Sequence, residues 1–520
     1  MDFTSFARIL MMKRVRAAEK WHGAGIEHTQ RKQLKILTQA GARTRYGALE
    51  GAERDGKRMV CTDNPKTFVK SVPVASYPAL RSLVMRMVDG EKDVLWPGVC
   101  HRYAQSSGTS DGKSKYIPVT NDSLHANHYV GAQDAVAHYL AEYPDSRMFS
   151  GKGFILGGSF ANELSLPKGV YVGDLSANLI DAINPAVNLF RVPSKEIALL
   201  EDWNVKLPAL VEASRNANIT NISGVPSWFM TVLRSVIEAE GAHNIHEVWP
   251  NLEVFFHGGI AMGPYRHAYN EMMDPAKPMH YRETYNASEG FFAVQDTKET
   301  SAMRLLLDVG VFYEFIPLSE YDEGNQWPET RYAWELEKGQ TYALLITAMN
   351  GLWRYPIGDT VRVESTDPLR ITIAGRTKHF INAFGEEVMV HNTDRAITST
   401  CHATGARIEN YTVAPVFAHD QEHGHHQWLI EWARRPEDIE EFARILDESL
   451  QKENSDYQAK RAGSIFLDRL TIETASAGLF DRWLALTGKL GGQRKVPRLS
   501  NNRSIMDRLL EMNGTKRTDQ

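Results

Sequence analysis

The 520-residue chain has only three cysteines, Cys61, Cys100 and Cys401, in none of the spacings of a zinc site or a redox pair. Disulfides therefore do not hold it together, and a reducing compartment, the cytoplasm, is expected. No apolar run is long enough to cross a bilayer. Met1 to Trp21 also lacks the apolar central block of a secretion signal. Its Phe6, Ile9, Leu10 and Val15 fall at helical spacing and predict a docked N-terminal helix, although Arg8, Lys13, Arg14 and Arg16 leave an organelle transit peptide as the alternative. An excess of one charge is missing too: 59 Lys plus Arg against 64 Asp plus Glu leave a net charge of −5. That balance gives no overall pull toward nucleic acid or an anionic membrane. Internal repeats and low-complexity linkers are absent as well. With 42% hydrophobic residues, the chain can build a sizeable core in at least two domains, and a monomer is expected.

Three separated stretches carry chemistry. Ser106-Ser107-Gly108-Thr109-Ser110-Asp111-Gly112 is a small-residue loop able to wrap phosphate oxygens with backbone N–H groups and hydroxyls, with Lys115 as a nearby point charge. Gly108 to Lys113-Ser114 is one residue short of a P-loop. A P-loop also needs a helix at its lysine, whereas Lys115 to Thr120 is β-branched, aromatic and interrupted by Pro118, which predicts a short extended segment at a sheet edge. An ordinary polar turn between strands is the alternative.

The second stretch, Tyr285-Asn286-Ala287-Ser288-Glu289-Gly290, follows a predicted strand from His280. Tyr285 can stack on adenine, Ser288 can donate to a phosphate, and Glu289 can hold Mg²⁺, an ion that prefers oxygen ligands and keeps several waters. Upstream, the predicted strand Leu252 to Phe256 runs into His257-Gly258-Gly259, where backbone can approach a ligand closely. A strand with a surface turn is the alternative. The third stretch, Arg354-Tyr355-Pro356-Ile357-Gly358-Asp359, lies between a β run, Thr341 to Ala348, and Thr360 to Val363. Asp359 can accept both hydroxyls of a ribose, unless the Gly-Asp is a hairpin turn. Together the three read as an ATP site.

In this order the stretches resemble the auxin-responsive acyl acid amido synthetases, a branch of the adenylate-forming superfamily that includes acyl-CoA ligases and firefly luciferase. Ser106 to Lys115 resembles the branch's phosphate motif, Tyr285 to Gly290 its Tyr-x-Ala-Ser-Glu-Gly motif, and Arg354 to Asp359 its Tyr-Arg-x-x-Gly-Asp region, with Trp353 where a tyrosine is common. Gly375-Arg376 is similar to the superfamily's hinge motif, with Lys378 where an aspartate is frequent. Gly492-Gln493-Arg494-Lys495-Val496-Pro497-Arg498 is similar to a C-terminal Gln-x-Lys-x-Pro-Arg pattern.

The resemblance implies an α/β fold: a large layered N-terminal adenylating domain over 1–377, a hinge over 378–384, and a small mobile α+β C-terminal domain over 385–520. The texture agrees. Strands and helices alternate from about residue 95 to 375, and two predicted strands (Tyr411 to Phe417, Gln427 to Trp432), an acidic helix (Pro436 to Lys452) and a further strand (Ile465 to Glu473) follow.

The implied function is an acid–amino acid ligase: ATP and Mg²⁺ activate a small carboxylic acid, and an amino acid takes the acyl group. In that scheme Lys115 and Ser106, Ser107, Gly108, Thr109 and Ser110 hold phosphates, Glu289 ligates Mg²⁺, Gly258, Gly259 and Tyr285 seat adenine, and Asp359 with Arg376 seats the ribose. Lys495 acts in catalysis, with Lys489 as the competing candidate. Val225 and Phe229 are expected on the wall of the acid pocket, Trp228 in the helix core, and the histidines His419, His423, His425 and His426 in a solvated hairpin loop. An acyl-CoA ligase on the same scaffold, and a nucleotide-binding regulator without turnover, are the alternatives.

Overall fold

The computed structural model describes the chain apart from residues 1, 51–58, 107–114, 163, 260–261, 278, 323, 378–379, 382, 384–385, 387, 417–423, 455–456, 459–460, 462–466, 487–495, 501–502 and 515–520. The chain divides into two units, one of Met1–Ile357 with Val361–Thr372 and one of Gly358–Thr360 with Ile373–Gln520.

The main sheet runs in the order Arg331–Tyr332, Val311–Pro317, Thr341–Ala348, Tyr355–Thr366, Leu369–Arg376, Met303–Leu305, Gly290–Val294, His280–Ala287, Val254–Gly258, Ile219–Gly224, Lys152–Ile155 and Arg191–Val192. Its last five strands pair in parallel. Parallel neighbours need crossover connections, and the helices Trp203–Arg215, Pro226–Glu240 and Arg266–Met272 lie in those connections. Val254, Phe255, Phe256 and His257 are all buried, the continuous burial of a strand covered on both faces. Phe154, Phe229, Phe255 and Trp249 centre the core between this sheet and those helices. A smaller sheet orders Lys115–Pro118, Arg102–Ser106 and Tyr171–Gly173.

The N-terminal helix forms over Thr4–Ala18, but the apolar residues expected to dock it do not all do so. Phe6, Ile9 and Leu10 are exposed, Ile9 by 75%. The helix is held instead by Arg14, whose guanidinium donates to both oxygens of Asp134 (2.7 and 2.8 Å) and of Asp308 (3.0 and 2.6 Å). Bidentate, charge-assisted contacts of this kind outweigh a few apolar side chains.

In the second unit, Arg407–Val416 pairs antiparallel with His425–Arg434, and the latter pairs in parallel with Thr471–Ala475. The last strand begins later than the sequence predicts. Alternation puts Tyr411, Val413, Trp428 and Ile430 on one face, against Val390–Thr404 and Ile439–Glu453. Ala414 and Leu429 face the other way, against Leu479–Leu486 and Ser504–Gly514. The sheet is therefore covered on both sides, each side with its own apolar core, an α+β arrangement.

Candidate active site

The first stretch begins at a strand end. Ser106 closes Arg102–Ser106, Lys115 opens Lys115–Pro118, and the two are register partners in an antiparallel pair. Both ends of the connection are thus fixed, while Ser107, Gly108, Thr109 and Ser110 lie outside the described residues. A strand at Lys115 removes the P-loop reading, which requires a helix there. Lys115 Nζ donates to Tyr355 Oη at 3.2 Å and lies 5.9 and 5.8 Å from the ring centres of Tyr77 and Tyr355. Aromatic faces attract an ammonium group at such distances. Tyr77 is itself fixed, because its hydroxyl accepts the backbone N–H of Tyr116 at 2.7 Å.

The second stretch is the tip of the hairpin formed by His280–Ala287 and Gly290–Val294. Tyr285 is only 4% exposed, edge-on to Phe292 with ring centres 5.1 Å apart. Ser288 is half-buried and Glu289 buried in the tip. Asn127 secures the hairpin from behind: it accepts from Phe291 N (2.7 Å) and donates to Phe291 O (3.0 Å) and Val309 O (2.9 Å). Beside it, burial lowers the His128 imidazole to about 4, with Asn286 opposing the shift, so this side chain is neutral near pH 7. Two glycines in the neighbouring strand end are required by geometry. A Cβ on Gly258 would sit 2.5 Å from Thr284 O in the adjacent strand, and Gly259 has φ +79°, a region L-residues rarely adopt. Beneath them, burial and the Arg266 charge lower His257 to about 3.

Backbone and side chains link the three stretches. Asn350, in the turn before the third, donates to Glu289 O at 2.8 Å. In the same turn Met349 O accepts from Thr120 Oγ1 at 2.7 Å, and Tyr355 meets Lys115. Within the larger unit, residues far apart in sequence therefore share one locus. Among the described residues no group of three or more His, Cys, Asp and Glu is placed to cage a metal. A single buried carboxylate, Glu289, instead suits Mg²⁺, which is usually held by one or two carboxylates together with substrate phosphates and water.

The third stretch holds residues whose structural role the sequence reading missed. Arg354 has φ +43° and is fully buried, donating to Glu314 through Nε (3.1 and 3.0 Å) and Nη2 (2.9 Å) and to Val72 O through Nη1 (3.0 Å). Trp353 is stacked between Tyr46 and Trp96 and donates to Leu95 O at 3.1 Å. A signal for the first was available: Glu314 is the one charged residue in the apolar strand Val311–Pro317. Asp359 lies inside the strand Tyr355–Thr366, not in a hairpin turn, and accepts from Arg376 Nε at 2.8 Å. This pair belongs to the second unit.

Two expected assignments change. Phe229 is fully buried, with its ring 5.4 Å from those of both Phe154 and Phe255, so it is a core residue and not a pocket wall. Trp228 is the half-buried neighbour, against Trp203, while Val225 caps the helix Pro226–Glu240 and remains half-buried. His425 and His426 are not in a solvated loop. Both lie in the strand His425–Arg434, and His426 is fully buried with Nε2 2.8 Å from Glu386 Oε1. His419, His423, Lys489 and Lys495 lie outside the described residues.

Comparison with known proteins places this geometry. The chain matches the GH3 family N-terminal domain over residues 24–279, the central domain over 304–376 and the C-terminal domain over 391–504. An indole-3-acetic acid-amido synthetase, GH3.10 of Arabidopsis thaliana, is 23% identical over 527 residues, covering 85% of this chain and 87% of its own. Among solved structures, the acyl acid amido synthetase AtGH3.15 in complex with 2,4-DB superposes with a TM-score of 0.74 at 17% identity, covering 96% of this chain and 95% of its own. A 2-hydroxyisobutyryl-CoA ligase in the postadenylation state, in complex with 2-HIB-AMP, gives 0.56 at 12% identity, covering 95% and 92%. These likenesses give the fold as that of the adenylate-forming enzymes. With three domains of one family matched in order from residue 24 to residue 504, the chain belongs to the GH3 family.

Proposed function

We propose that this protein is an ATP-dependent acyl acid amido synthetase, joining a small carboxylic acid to the amine of an amino acid with release of AMP and pyrophosphate. The observation that carries the reading is the contact of Lys115 with Tyr355, together with that of Asn350 with Glu289, which gathers the phosphate, Mg²⁺ and nucleotide stretches in one place. A carboxylate is a poor electrophile. Its oxygen therefore attacks the α-phosphorus of ATP, an acyl–phosphate bond forms, and the bond to pyrophosphate breaks with its electron pair leaving on pyrophosphate. The amine then attacks the acyl carbon, the carbon–nitrogen bond forms, AMP departs, and the nitrogen loses a proton.

Lys115 and the Ser106 to Ser110 loop hold the phosphates, and Glu289 is the carboxylate for Mg²⁺. Gly258, Gly259 and Tyr285 border the adenine, Tyr285 by its edge, since its ring is already packed on Phe292. Asp359 takes the ribose hydroxyls, with Arg376 orienting it. Lys495 offsets charge developing at the α-phosphate. Catalysis of this kind is positioning and charge neutralisation. The setting proposed is the cytoplasm and the working form a monomer.

The deciding assay is isotope exchange. Carboxylic acid alone, from a panel of indole-3-acetate, benzoate and jasmonate-like acids, is expected to drive labelled pyrophosphate into ATP, and adding amino acids to yield AMP and an amide. ADP with phosphate as products would sink the adenylate reading, and turnover only with coenzyme A as acceptor would make the protein a thioester ligase.

Asp359 provides a narrower check. Losing a charged acceptor for two hydroxyls costs roughly 1.5–3 kcal/mol, or about ten- to a hundredfold in affinity. Asp359→Ala is expected to weaken ATP binding by that factor in calorimetric titration and to leave the fold in place, because its ion pair with the partly exposed Arg376 contributes little to stability. Unchanged ATP affinity would leave Asp359 a strand residue and nothing more.

A further inference from the structure

Glu289 lies at the tip between the strands His280–Ala287 and Gly290–Val294, whose pairing shifts register between Tyr285 and Asn286. A register shift so close to the tip interrupts the ladder, so the tip depends on partners outside the hairpin. Two asparagines supply them. On one side Asn350 donates to Glu289 O at 2.8 Å. On the other, Asn127 accepts from Phe291 N at 2.7 Å and donates to Phe291 O at 3.0 Å and to Val309 O at 2.9 Å. The approach leaves no spare room: a Cβ on Gly290 would come 2.8 Å from Phe292 Cε1 and 3.1 Å from Asn127 Oδ1, and one on Gly131 would come 2.4 Å from the Phe291 ring.

The two asparagines are themselves joined. Asn127 sits in a single π-helical turn, Leu124–His128, between the short helix Asn121–Ser123 and the helix Tyr129–Glu142. Such turns are rare and concentrate at functional sites. Thr120 caps the start of this run, its Oγ1 accepting from Ser123 N at 3.0 Å while donating at 2.7 Å to the carbonyl of Met349, next to Asn350. The contacts therefore close on themselves: from Thr120 to the turn at Met349 and Asn350, on to Glu289 and Phe291, across to Asn127, and back along the helix to Thr120. Thr120, Asn127 and Asn350 are 6%, 3% and 1% exposed. A satisfied polar network buried to this degree is rigid.

We propose that Thr120, Asn127 and Asn350 are positioning residues for Mg²⁺, holding the backbone of Glu289 so that its carboxylate meets the ion in one fixed place. The inference rests on the reading of Glu289 as the Mg²⁺ carboxylate. Rigidity matters for this ion in particular, because Mg²⁺ demands near-octahedral oxygen ligands at about 2.0–2.1 Å, whereas Ca²⁺ accepts a flexible set at about 2.3–2.6 Å. Loosening the ring should therefore penalise Mg²⁺ more than Ca²⁺. None of the three residues touches metal or substrate in this scheme.

The test is calorimetric titration of the full-length protein with ATP and no acid, so that nothing turns over, in Mg²⁺, in Ca²⁺ and in EDTA. The quantity read is the gain in ATP affinity that each metal gives over EDTA. Loss of an outer partner of a metal ligand costs roughly ten- to a hundredfold in metal affinity. Asn127→Ala and Asn350→Ala are each expected to cut the Mg²⁺ gain by about tenfold or to abolish it, to reduce the Ca²⁺ gain less, and to keep the parental affinity in EDTA. Should Asn127→Ala fail to fold, Asn350→Ala decides, since it gives up only the bond to Glu289 O and a long one from Leu352 N at 3.3 Å. Glu289→Gln separates the two levels of the argument. If it keeps the parental Mg²⁺ gain, Glu289 is not the metal carboxylate and the ring has nothing to position. If it loses the gain while the alanine variants retain it, the ring is structural only, and a loss of equal size in EDTA and in Mg²⁺ would overturn the proposal in the same way.

Discussion

Lys495→Ala is expected to reduce kcat for pyrophosphate exchange by roughly a hundred- to a thousandfold, the range seen when one group that stabilises developing charge is removed. KM for ATP should hardly move, because the interaction is strongest in the transition state and weak in the ground state. The amide-forming half supplies a control. With a chemically prepared acyl-adenylate, no pyrophosphate leaves and no charge builds against it, so the variant should transfer the acyl group to the amine at the parental rate. Lys489→Ala in parallel decides between the two candidates. If that variant is dead and Lys495→Ala is not, the role belongs to Lys489.

The second large effect is on stability. Glu314→Ala would leave the Arg354 guanidinium, 0% exposed, with the carbonyls of Val69 and Val72 at the end of the helix Pro65–Ser71 to receive it. Removing one partner of a buried pair costs about 3–5 kcal/mol, because the remaining charge is uncompensated. A fall of that size in urea unfolding is expected for Glu314→Ala. Glu314→Gln should fall less, since its amide oxygen still accepts from the guanidinium. Exchange activity per folded molecule should survive in both, because Arg354 is fully buried and is not among the residues proposed to hold ATP. A stability change under about 1 kcal/mol for Glu314→Ala would mean that water or a shifted carbonyl replaces the carboxylate.

What could be read from the sequence follows from what each signal depends on. The strand at Lys115 and the turn that follows the strand from His280 rest on local pattern: alternation, small residues, glycine at a turn. Both survive translation from one dimension to three, whereas Asp359, expected at the junction of two extended segments, lies inside one strand that runs on past it. Phe229 did not survive it, because helical spacing says that a face is apolar without saying whether it meets a core or a ligand; Gly224, where a Cβ would come within 3.0 Å of that ring, is what closes it into the core. The N-terminal helix was legible as a helix, but its docking depends on Asp134 and Asp308, far along the chain. His426 was misplaced for a related reason. A run of histidines looks solvated until Glu386, forty residues earlier, provides a buried acceptor. The pairing of Arg354 with Glu314 had the same non-local character, although a lone glutamate in an apolar strand was a readable warning.

The sheet of the second unit, faced by helices and packed on both sides, has a mechanical consequence. A single-sided sheet can flex away from its support, whereas one clamped between two cores resists bending. The strands of this unit are therefore expected to open to hydrogen exchange together and not one at a time, because bending any one of them disturbs both cores.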